Sequence, residues 1–295
     1  MAKVKARRPE NVAGDLFVDS TCIDCDTCRW MAPEVFTRAG EQAAVHHQPD
    51  SPEARQRALQ AMLSCPTASI GTVTKPQDIK EIQGTLPVEL LPGVFHCGYH
   101  SRQSFGAASY LILREEGNIL IDSPRFTPPL VKRLKELGGV RYLYLTHRDD
   151  VADHQKFHDR LGCDRILHEE DVTEKTVGVE IKLTGAEAVA IAPDFTIIPV
   201  PGHTEGHTVA LHTTREGTKV LFAGDHLAWS PMLEHLYGFN RYCWYDWETQ
   251  VKSMKRLAAY DFEWVLPGHE RRYHGSVAET REQMQRCLRW MDSVS

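Results

Sequence analysis

Three closely spaced cysteines, joined by a fourth far downstream, form the first group of residues whose types could do chemistry. The segment CIDCDTC places Cys22, Cys25 and Cys28 at C-x2-C-x2-C spacing, and Cys65 follows much later, directly before Pro66. A tight loop with a thiolate at every third residue can hold three corners of an iron–sulfur cubane, and the remote cysteine can supply the fourth. Zinc is the alternative, but zinc sites usually draw their cysteines as two separate pairs. The spacing therefore favours one 4Fe–4S cluster.

Histidine and aspartate residues at the ends of four apolar segments form the second group. These segments span residues 143–154, 197–208, 220–226 and 264–270. In α/β folds the catalytic groups tend to follow the ends of strands, so ligands from distant parts of the chain can converge there. Imidazole and carboxylate groups bind metals, and a divalent metal lowers the pKa of its bound water enough to supply hydroxide near neutral pH. The pattern predicts a metal centre built from strand ends.

Short strand and helix patterns divide the chain into parts that would position these groups. Residues 10–75 include a helix pattern in which Ser51 is the N-cap and Pro52 takes the first helical position. The polar stretch at 76–85 has the composition of a linker. From residue 86 onward, strand patterns alternate with amphipathic helix patterns, which indicates a layered α/β domain. We therefore expect a small cysteine-containing domain at 10–75, a linker at 76–85 and a larger domain at 86–295.

The composition is that of an ordinary globular protein and narrows the classes of partner. The 295 residues carry 34 basic and 40 acidic side chains, which gives a net charge of −6. A negative net charge is unfavourable for binding nucleic acid. No apolar run approaches the ~18–20 residues needed to cross a bilayer, and no apolar segment of a secretory signal follows the basic N-terminus. We therefore expect a cytoplasmic protein with a small-molecule substrate and without nucleic-acid or membrane partners.

Both parts of the chain resemble known families through these motifs. Residues 14–73, with the C-x2-C-x2-C segment and the remote Cys-Pro, resemble the single-cluster form of the bacterial-type ferredoxins. Residues 86–295 resemble the metallo-β-lactamase superfamily through THRDDVADH, PGHTEGH, AGD and PGH, each of which follows an apolar segment. The resemblance implies an α+β ferredoxin-like domain followed by an αββα sandwich with a dinuclear metal site.

The resemblance also implies a role for individual residues of the second group. His203, Asp225 and His269 match the later ligand motifs of the family, and Asp225 would bridge the two metals. The closing D-H of the family's H-x-H-x-D-H motif corresponds to Asp153 and His154. Asp153 and Asp225 would take part in catalysis. The implied second metal site consists of Asp153, His154, Asp225 and His269.

The first part of that motif departs from the family pattern. From His147 the sequence reads HRDDVADH, which is two residues longer than H-x-H-x-D-H and lacks its second histidine. If the preceding threonine and His147 set the register, Asp149 replaces the missing histidine. If the closing D-H sets it, the two histidine positions fall on Asp149 and Val151. We prefer the first register because the strand pattern YLYLT ends where the family's strand ends, and the first metal site then contains His147, Asp149 and His203.

A carboxylate in place of a histidine also affects the choice of metal. Oxygen ligands shift the preference of a site from zinc toward iron or manganese. The flavodiiron proteins of the same superfamily carry a carboxylate in this motif and bind iron. The sequence therefore predicts one or two divalent metals in addition to the cluster, with zinc, iron and manganese as the alternatives.

Three functions are compatible with this combination of motifs. The first is a metal-dependent hydrolase of a thioester, lactone or phosphoester, in which the cluster regulates or stabilises the protein. The second is a di-iron oxidoreductase that reduces a small molecule with electrons from the cluster; since no G-x-G-x-x-G fingerprint follows a strand, an external donor would supply them. The third is a non-catalytic redox sensor. We favour the hydrolase, because the second-site ligands match the family and hydrolysis is its commonest chemistry.

Overall fold

The chain forms two compact units, and the computed structural model describes residues 2–294. The first unit comprises the residues up to Asn118, Ser123–Val140 and Ala152–Leu161. The second unit comprises Ile119–Asp122, Arg141–Val151 and the residues from Gly162 onward. The bounds of these two units differ from the domain boundaries expected from the sequence. Those domain boundaries stay a prediction.

The N-terminal part of the first unit consists of short strands and helices around a small apolar core. Its elements are β1 (Leu16–Val18), α1 (Thr27–Met31), β2 (Phe36–Ala39), β3 (Gln42–Val45), α2 (Pro52–Ser64), β4 (Ile70–Thr72) and α3 (Ile79–Gly84). Strand β1 pairs antiparallel with β4, and β2 pairs antiparallel with β3. Buried side chains from these strands pack against Ala58 and Ala61 of α2. Helix α3 lies inside the segment expected to be a linker, so part of that segment is helical.

Helix α2 begins as the sequence predicts. The Ser51 hydroxyl oxygen accepts a hydrogen bond from the Ala54 backbone N–H at 3.1 Å, and Pro52 is the first helical residue. Proline suits this position because its missing N–H would have no partner in the first turn of a helix. The helix ends at Ser64, so Cys65 lies directly at its C-terminus. The predicted N-cap is confirmed, and α2 positions the remote cysteine.

The remainder of the first unit adds three strands and two helices. They are β5 (Val88–Leu91), β6 (Val94–His96), β7 (Tyr110–Ile112), α4 (Pro128–Glu136) and α5 (His154–Leu161). Strands β5, β6 and β7 pair in sequence order as an antiparallel meander. The segment between β6 and β7 contains His100, which lies beside Thr27, and Gly106, which lies beside Cys25.

The second unit contains two β layers that face one another. The first layer is made of the parallel strands β8 (Ile119–Ile121), β9 (Tyr142–Tyr144), β10 (Asp164–His168) and β11 (Ile181–Leu183). The second layer contains β12 (Val189–Ala192), β13 (Phe195–Pro199), β14 (Thr208–Thr213), β15 (Lys219–Gly224), β18 (Trp264–Pro267) and β19 (Tyr273–His274), in that spatial order. The Tyr144 hydroxyl lies 2.8 Å from the Thr208 hydroxyl, and the Tyr144 ring packs 5.9 Å from Phe195. These contacts join the layers.

Helices cover the opposite face of the second layer. Because side chains alternate along a strand, Phe195 and Ile197 of β13 share one face, while Ile198 lies on the other. Ile198 packs in a core with residues of α6 (Trp247–Leu257) and α7 (Val277–Ser293), including Met254 and Met284. A short hairpin of β16 (Ala228–Ser230) and β17 (His235–Tyr237) lies between β15 and α6 in the chain. Among the described residues, no helix combines the length and the apolar character that a bilayer crossing requires.

Two candidate metal centres

The four predicted cluster cysteines line one cavity in the first unit. Cys22 and Cys25 lie in the loop before α1, Cys28 lies in α1, and Cys65 follows α2. Burial raises the pKa of the Cys25 thiol to about 11, with a further contribution from the neighbouring Cys65 and Cys22. Burial and the other three cysteines also raise the pKa of Cys28 well above its usual value. Four thiols held this close together favour a positively charged metal group that stabilises their ionised form.

Two aspartates and an arginine shape the loop that carries the cysteines. Asp24 and Asp26 adopt left-handed backbone conformations with φ of 58° and 64°, which aspartate tolerates better than most residues. The Arg29 guanidinium is nearly buried and forms ion pairs with both carboxylates. A buried charge is costly unless it is paired, so this arrangement stabilises one conformation of the loop.

The surroundings of the cysteines fit a 4Fe–4S cluster. The Ser69 backbone N–H donates a hydrogen bond to Cys65 Sγ at 3.3 Å, and the Thr27 hydroxyl lies 3.3 Å from Cys25 Sγ. Gly106 approaches from the segment between β6 and β7, with φ of +93°. A Cβ atom there would lie 2.9 Å from the Cβ and 3.1 Å from the Sγ of Cys25, so a side chain would displace this ligand. Hydrogen bonds to the sulfur ligands are a feature of such clusters, and glycine permits the close approach of the backbone.

The histidine and aspartate residues form two groups in the second unit. The first group contains His147, His203 and Asp225, and the second contains Asp150, Asp225 and His269; within each, the ligand atoms lie within 4.8 Å of one another. Asp225 Oδ2 is 3.9 Å from His147 Nε2 and 3.8 Å from His203 Nε2. Asp225 Oδ1 is 2.8 Å from His269 Nδ1. Asp225 therefore faces both groups.

Asp149 lies beside the two histidines of the first group. Its Oδ2 atom is 3.5 Å from His203 Nε2 and 3.9 Å from His147 Nε2. The side chain is 47% exposed, whereas both histidine side chains are buried. This position is the one expected when Thr146 and His147 set the register of the motif.

Asp150 is the ligand candidate that sequence reasoning missed. Its carboxylate is fully buried, and within the described part of the chain neither oxygen has a hydrogen-bond partner. Burial, together with the negative charge of Asp225, raises the pKa of Asp150 well above its usual value. A Cβ atom on Gly268 would lie 2.9 Å from oxygens of both Asp150 and Asp225, so glycine is needed for the close approach. A buried carboxylate without donors is unfavourable unless a cation compensates it, which fits a metal ligand.

Asp153 and His154 are in neither of the two groups found among residues 2–294. They belong to the first unit, where α5 begins at His154. Asp153 Oδ2 accepts a hydrogen bond from the Phe126 backbone N–H at 2.8 Å, and Oδ1 pairs with Lys156 Nζ at 2.7 Å. Both carboxylate oxygens of Asp153 therefore have protein partners. The family resemblance implied Asp153 and His154 as ligands of the second metal site. In the structure, the second group contains Asp150 in their place.

A hydrogen-bonded pair orients His147. Asp122 Oδ1 accepts hydrogen bonds from the Thr146 backbone N–H at 2.8 Å and from its hydroxyl at 3.0 Å. The Thr146 oxygen, 2.9 Å from His147 Nδ1, can then accept the Nδ1 hydrogen. His147 Nε2 is buried without a hydrogen-bond partner among the described residues, so its lone pair is available to a metal. Partners of this kind fix the tautomer of metal-binding histidines.

Asp171 connects two of the ligand loops. One oxygen of this fully buried carboxylate accepts hydrogen bonds from the Arg148 backbone N–H at 3.0 Å and the Thr204 hydroxyl at 2.5 Å. The other accepts from the Gly206 backbone N–H at 2.9 Å. Asp171 thus connects the loop that carries His147 with the loop that carries His203. Nothing in the local sequence pattern marks this role.

Two further buried histidines, His207 and His226, lie beside these ligands. His207 Nε2 accepts a hydrogen bond from the Asp225 backbone N–H at 3.1 Å, and its ring stacks on His147 at 4.8 Å. Burial lowers the pKa of His207 well below its usual value, which keeps this acceptor neutral. The His226 ring lies 5.9 Å from His207, and burial lowers its pKa to about 3. His207 therefore supports the backbone of Asp225 and the ring of His147.

Comparison with known proteins identifies a matching family model for one segment and similar folds among solved structures. Residues 18–72 match the family model described as the 4Fe–4S single cluster domain of ferredoxin I. The curated proteins contain no match to the sequence. The fold is similar to that of a Cronobacter sakazakii metallo-β-lactamase with a HARLDQ motif, with 17% identity and a TM-score of 0.50 over 71% of this chain and 96% of that one.

A second solved structure gives the same result. The fold is similar to that of VMB-1, with 15% identity and a TM-score of 0.53 over 70% of this chain and 95% of that one. Likeness at this level of identity establishes a shared fold. The predicted fold class is confirmed: the chain combines a 4Fe–4S single-cluster ferredoxin domain with a metallo-β-lactamase αββα sandwich.

Proposed function

We propose that the protein is a metal-dependent hydrolase with a dinuclear centre, acting on a thioester, lactone or phosphoester bond. The observation that carries this proposal is the position of Asp225. Its Oδ2 atom faces His147 and His203, and His269 Nδ1 lies 2.8 Å from Oδ1 and 2.9 Å from Oδ2, so the one carboxylate is shared by both groups. A carboxylate placed between two ligand groups suits a bridge between two divalent cations, the arrangement used by many metallohydrolases.

The protein residues around this centre have separable tasks in hydrolysis. When bound, divalent metals lower the pKa of water and polarise the bond that is cleaved. His147, His203 and Asp225 are buried, whereas Asp149 is about half exposed, so the substrate would approach from the side of Asp149. Asp225 is held ionised: burial alone would raise its pKa, but the neighbouring His269 and His203 keep this pKa below the usual range.

An exposed aromatic edge beside His203 would contact the substrate. The backbone N–H groups of Trp244 and Tyr245 both donate to the His203 carbonyl, at 2.9 and 3.1 Å. The Trp244 ring lies 6.3 Å from the His203 ring, and the side chain is 61% exposed. Such a surface suits an apolar substituent on the substrate.

The test is metal-dependent hydrolysis by the full-length protein, prepared without oxygen so that the cluster is retained. Samples loaded with zinc, manganese or iron are assayed with a chromogenic thioester, a lactone and a bis-aryl phosphodiester. We expect at least one substrate class to be cleaved, and we expect Asp225→Asn to lower kcat/KM at least about 100-fold. The control is Asp292→Asn, because Asp292 is exposed and pairs only with Lys255 in the described contacts. Equal rates for Asp225→Asn and wild type, or no cleavage with any metal, would contradict the proposal.

A second candidate, a di-iron oxidoreductase, is favoured by the donor set. The six candidate ligands include three carboxylates, those of Asp149, Asp150 and Asp225, and oxygen-rich sites suit iron better than zinc. In this case, protein reduced anaerobically by an external donor would reoxidise over many turnovers when mixed with oxygen, nitric oxide or peroxide. That reoxidation, followed by the absorbance of the cluster, would be lost in Asp225→Asn and kept in Asp292→Asn. Reoxidation that is the same in both variants, together with hydrolysis lost in Asp225→Asn alone, would favour the hydrolase.

A further inference from the structure

A buried chain of hydrogen-bonding groups runs from Cys25 to a pair of histidines, all within the first compact unit. The Thr27 hydroxyl lies 3.3 Å from Cys25 Sγ and 3.1 Å from His100 Nδ1. His100 Nε2 lies 2.7 Å from His96 Nε2. Thr27, His100 and His96 are each at most 2% exposed. Cys25 and Thr27 lie within residues 18–72, whereas both histidines lie beyond the part that matches the ferredoxin family model.

The partners of His100 determine the direction of each hydrogen bond. The Gly106 carbonyl oxygen lies 2.6 Å from His100 Nδ1, and a carbonyl only accepts, so Nδ1 carries the hydrogen. This hydrogen also faces the Thr27 oxygen, which then accepts. The single hydroxyl hydrogen of Thr27 is therefore free to point to Cys25 Sγ. In the neutral pair, His100 Nε2 accepts, and His96 Nε2 donates to it.

Further contacts fix the position of the two histidine rings. The Trp30 ring packs edge-on against His96 at 4.9 Å and lies 6.0 Å from His100. The His100 backbone N–H donates to the Ser64 carbonyl at 3.1 Å, directly before Cys65. The histidine pair is thus attached to both α1 and the end of α2. An arrangement fixed from several sides can hold the Thr27 hydroxyl in one rotamer.

We propose that His100 and His96 are positioning residues that hold the Thr27 hydroxyl on Cys25 Sγ, and that this hydrogen bond makes the 4Fe–4S cluster easier to reduce. Hydrogen bonds to the sulfur ligands are among the factors that set the reduction potential of such clusters. A donor favours the reduced form because the added electron increases the negative charge on the sulfur atoms, and bonds to charged acceptors are stronger. The proposal does not depend on the reaction of the second metal centre.

Thr67 offers a matched control within the same cavity. It follows Cys65 by two residues, as Thr27 follows Cys25. Its hydroxyl lies 3.7 Å from Cys65 Sγ and 2.7 Å from the Ser69 hydroxyl, with which it can bond instead. Replacing Thr67 therefore also removes a hydroxyl from the cavity, but this hydroxyl lies farther from its cysteine sulfur than the Thr27 hydroxyl does.

The experiment is an anaerobic redox titration of the full-length protein with its reconstituted cluster, followed by absorbance and electron paramagnetic resonance. We expect Thr27→Val to lower the ratio of reduced to oxidised cluster at a fixed potential by about tenfold, which corresponds to a shift of about 59 mV for one electron. Thr27→Ser should restore the wild-type ratio, and His100→Gln should shift it in the same direction as Thr27→Val. Thr67→Val should produce a clearly smaller shift.

Two outcomes would overturn the proposal. The first is an unchanged potential in Thr27→Val with four irons bound, and the second is an equal shift in Thr27→Val and Thr67→Val. If Thr27→Val does not hold a full cluster, Thr27→Ala and His100→Gln provide the same comparison, since neither removes a ligand. An unchanged potential in both of these variants would also contradict the proposed role.

Discussion

The two candidate metal centres differ in how far along the chain their ligands are separated. Three of the four cysteines lie within residues 22–28, and a single helix positions the fourth. The histidine and aspartate ligands come instead from four separate loops, at residues 147–150, 203, 225 and 269. Residue spacing alone identifies ligands when one loop carries most of them. When four loops converge, the path of each loop after its strand also determines which of its residues becomes a ligand.

The largest effect that would test this comparison is the loss of a cysteine. In Cys25→Ser we expect complete loss of the brown colour and of the four irons and four sulfides of the cluster, because one corner of the cubane loses its thiolate. Iron and sulfide analysis of protein prepared without oxygen measures this. The control is Cys97→Ser, since Cys97 is fully buried and lies outside the cavity.

The cysteine prediction also distinguishes the cluster from its alternative. Colourless native protein that carries zinc on the four cysteines would contradict it. Retention of a full cluster in Cys25→Ser would show that this cysteine is not a ligand.

The next effect concerns the ligands of the four-loop centre. We expect Asp225→Ala to lose both metals, because its carboxylate faces both groups. Asp149→Ala and Asp150→Ala should each lose one of two metals, since each side chain lies beside only one group. Metal content per protein, corrected for cluster iron, measures the difference.

Asp153→Ala is the comparison that sharpens this prediction. One oxygen of Asp153 accepts from the Phe126 backbone N–H, and the other pairs with Lys156. Because both oxygens already have protein partners, we expect this variant to keep both metals. Loss of one metal in Asp153→Ala, with none lost in Asp150→Ala, would instead support the ligand set implied by the family motif.

These two centres also show what the sequence could predict. The cysteine spacing, the N-cap at Ser51 and the strand-end positions of His203, Asp225 and His269 are local patterns, and the structure places all of them as expected. Asp150 was missed because HRDDVADH contains three aspartates, and only the path of the loop determines which of them is buried beside Asp225.

Contacts between segments that are distant along the chain could not be predicted from the sequence either. His100 reaches Thr27 across 73 residues, and Asp171 reaches Thr204 across 33. Neither residue stands in a recurring motif. Helix α3 was missed for a different reason: its polar composition resembles a linker, yet Asp78 before it pairs with Arg55 of α2 at 2.8 Å. Tertiary contacts of this kind override local composition.

A smaller effect is expected for the contacts of Asp171, which connect two of the four loops. Asp171→Ala would leave two buried donors and one partly buried donor without their acceptor, and we expect the free energy of unfolding to fall by about 3 kcal/mol. Asp171→Asn should cost less, because its amide oxygen can still accept from part of these donors. Urea unfolding measures both. We also expect weaker binding of the divalent metals and no change in cluster content, because Asp171 connects only ligand loops of the second unit. Loss of the cluster in Asp171→Ala would contradict this separation.

The smallest effect is expected at the start of the helix that positions Cys65. Ser51→Ala removes the hydroxyl that accepts from Ala54 N–H, and the loss of an N-cap costs about 1 kcal/mol of the free energy of unfolding. Ser51→Asp should be close to neutral, since aspartate caps equally well. The cap lies at one end of α2 and Cys65 at the other, so we expect full cluster content in both variants. Unfolding in urea gives the first quantity and iron analysis the second. If Ser51→Ala alone lost the cluster, the position of Cys65 would depend on the whole of α2. The cysteine centre would then also depend on a longer part of the fold, and it would differ less from the four-loop centre than the spacing of the cysteines implies.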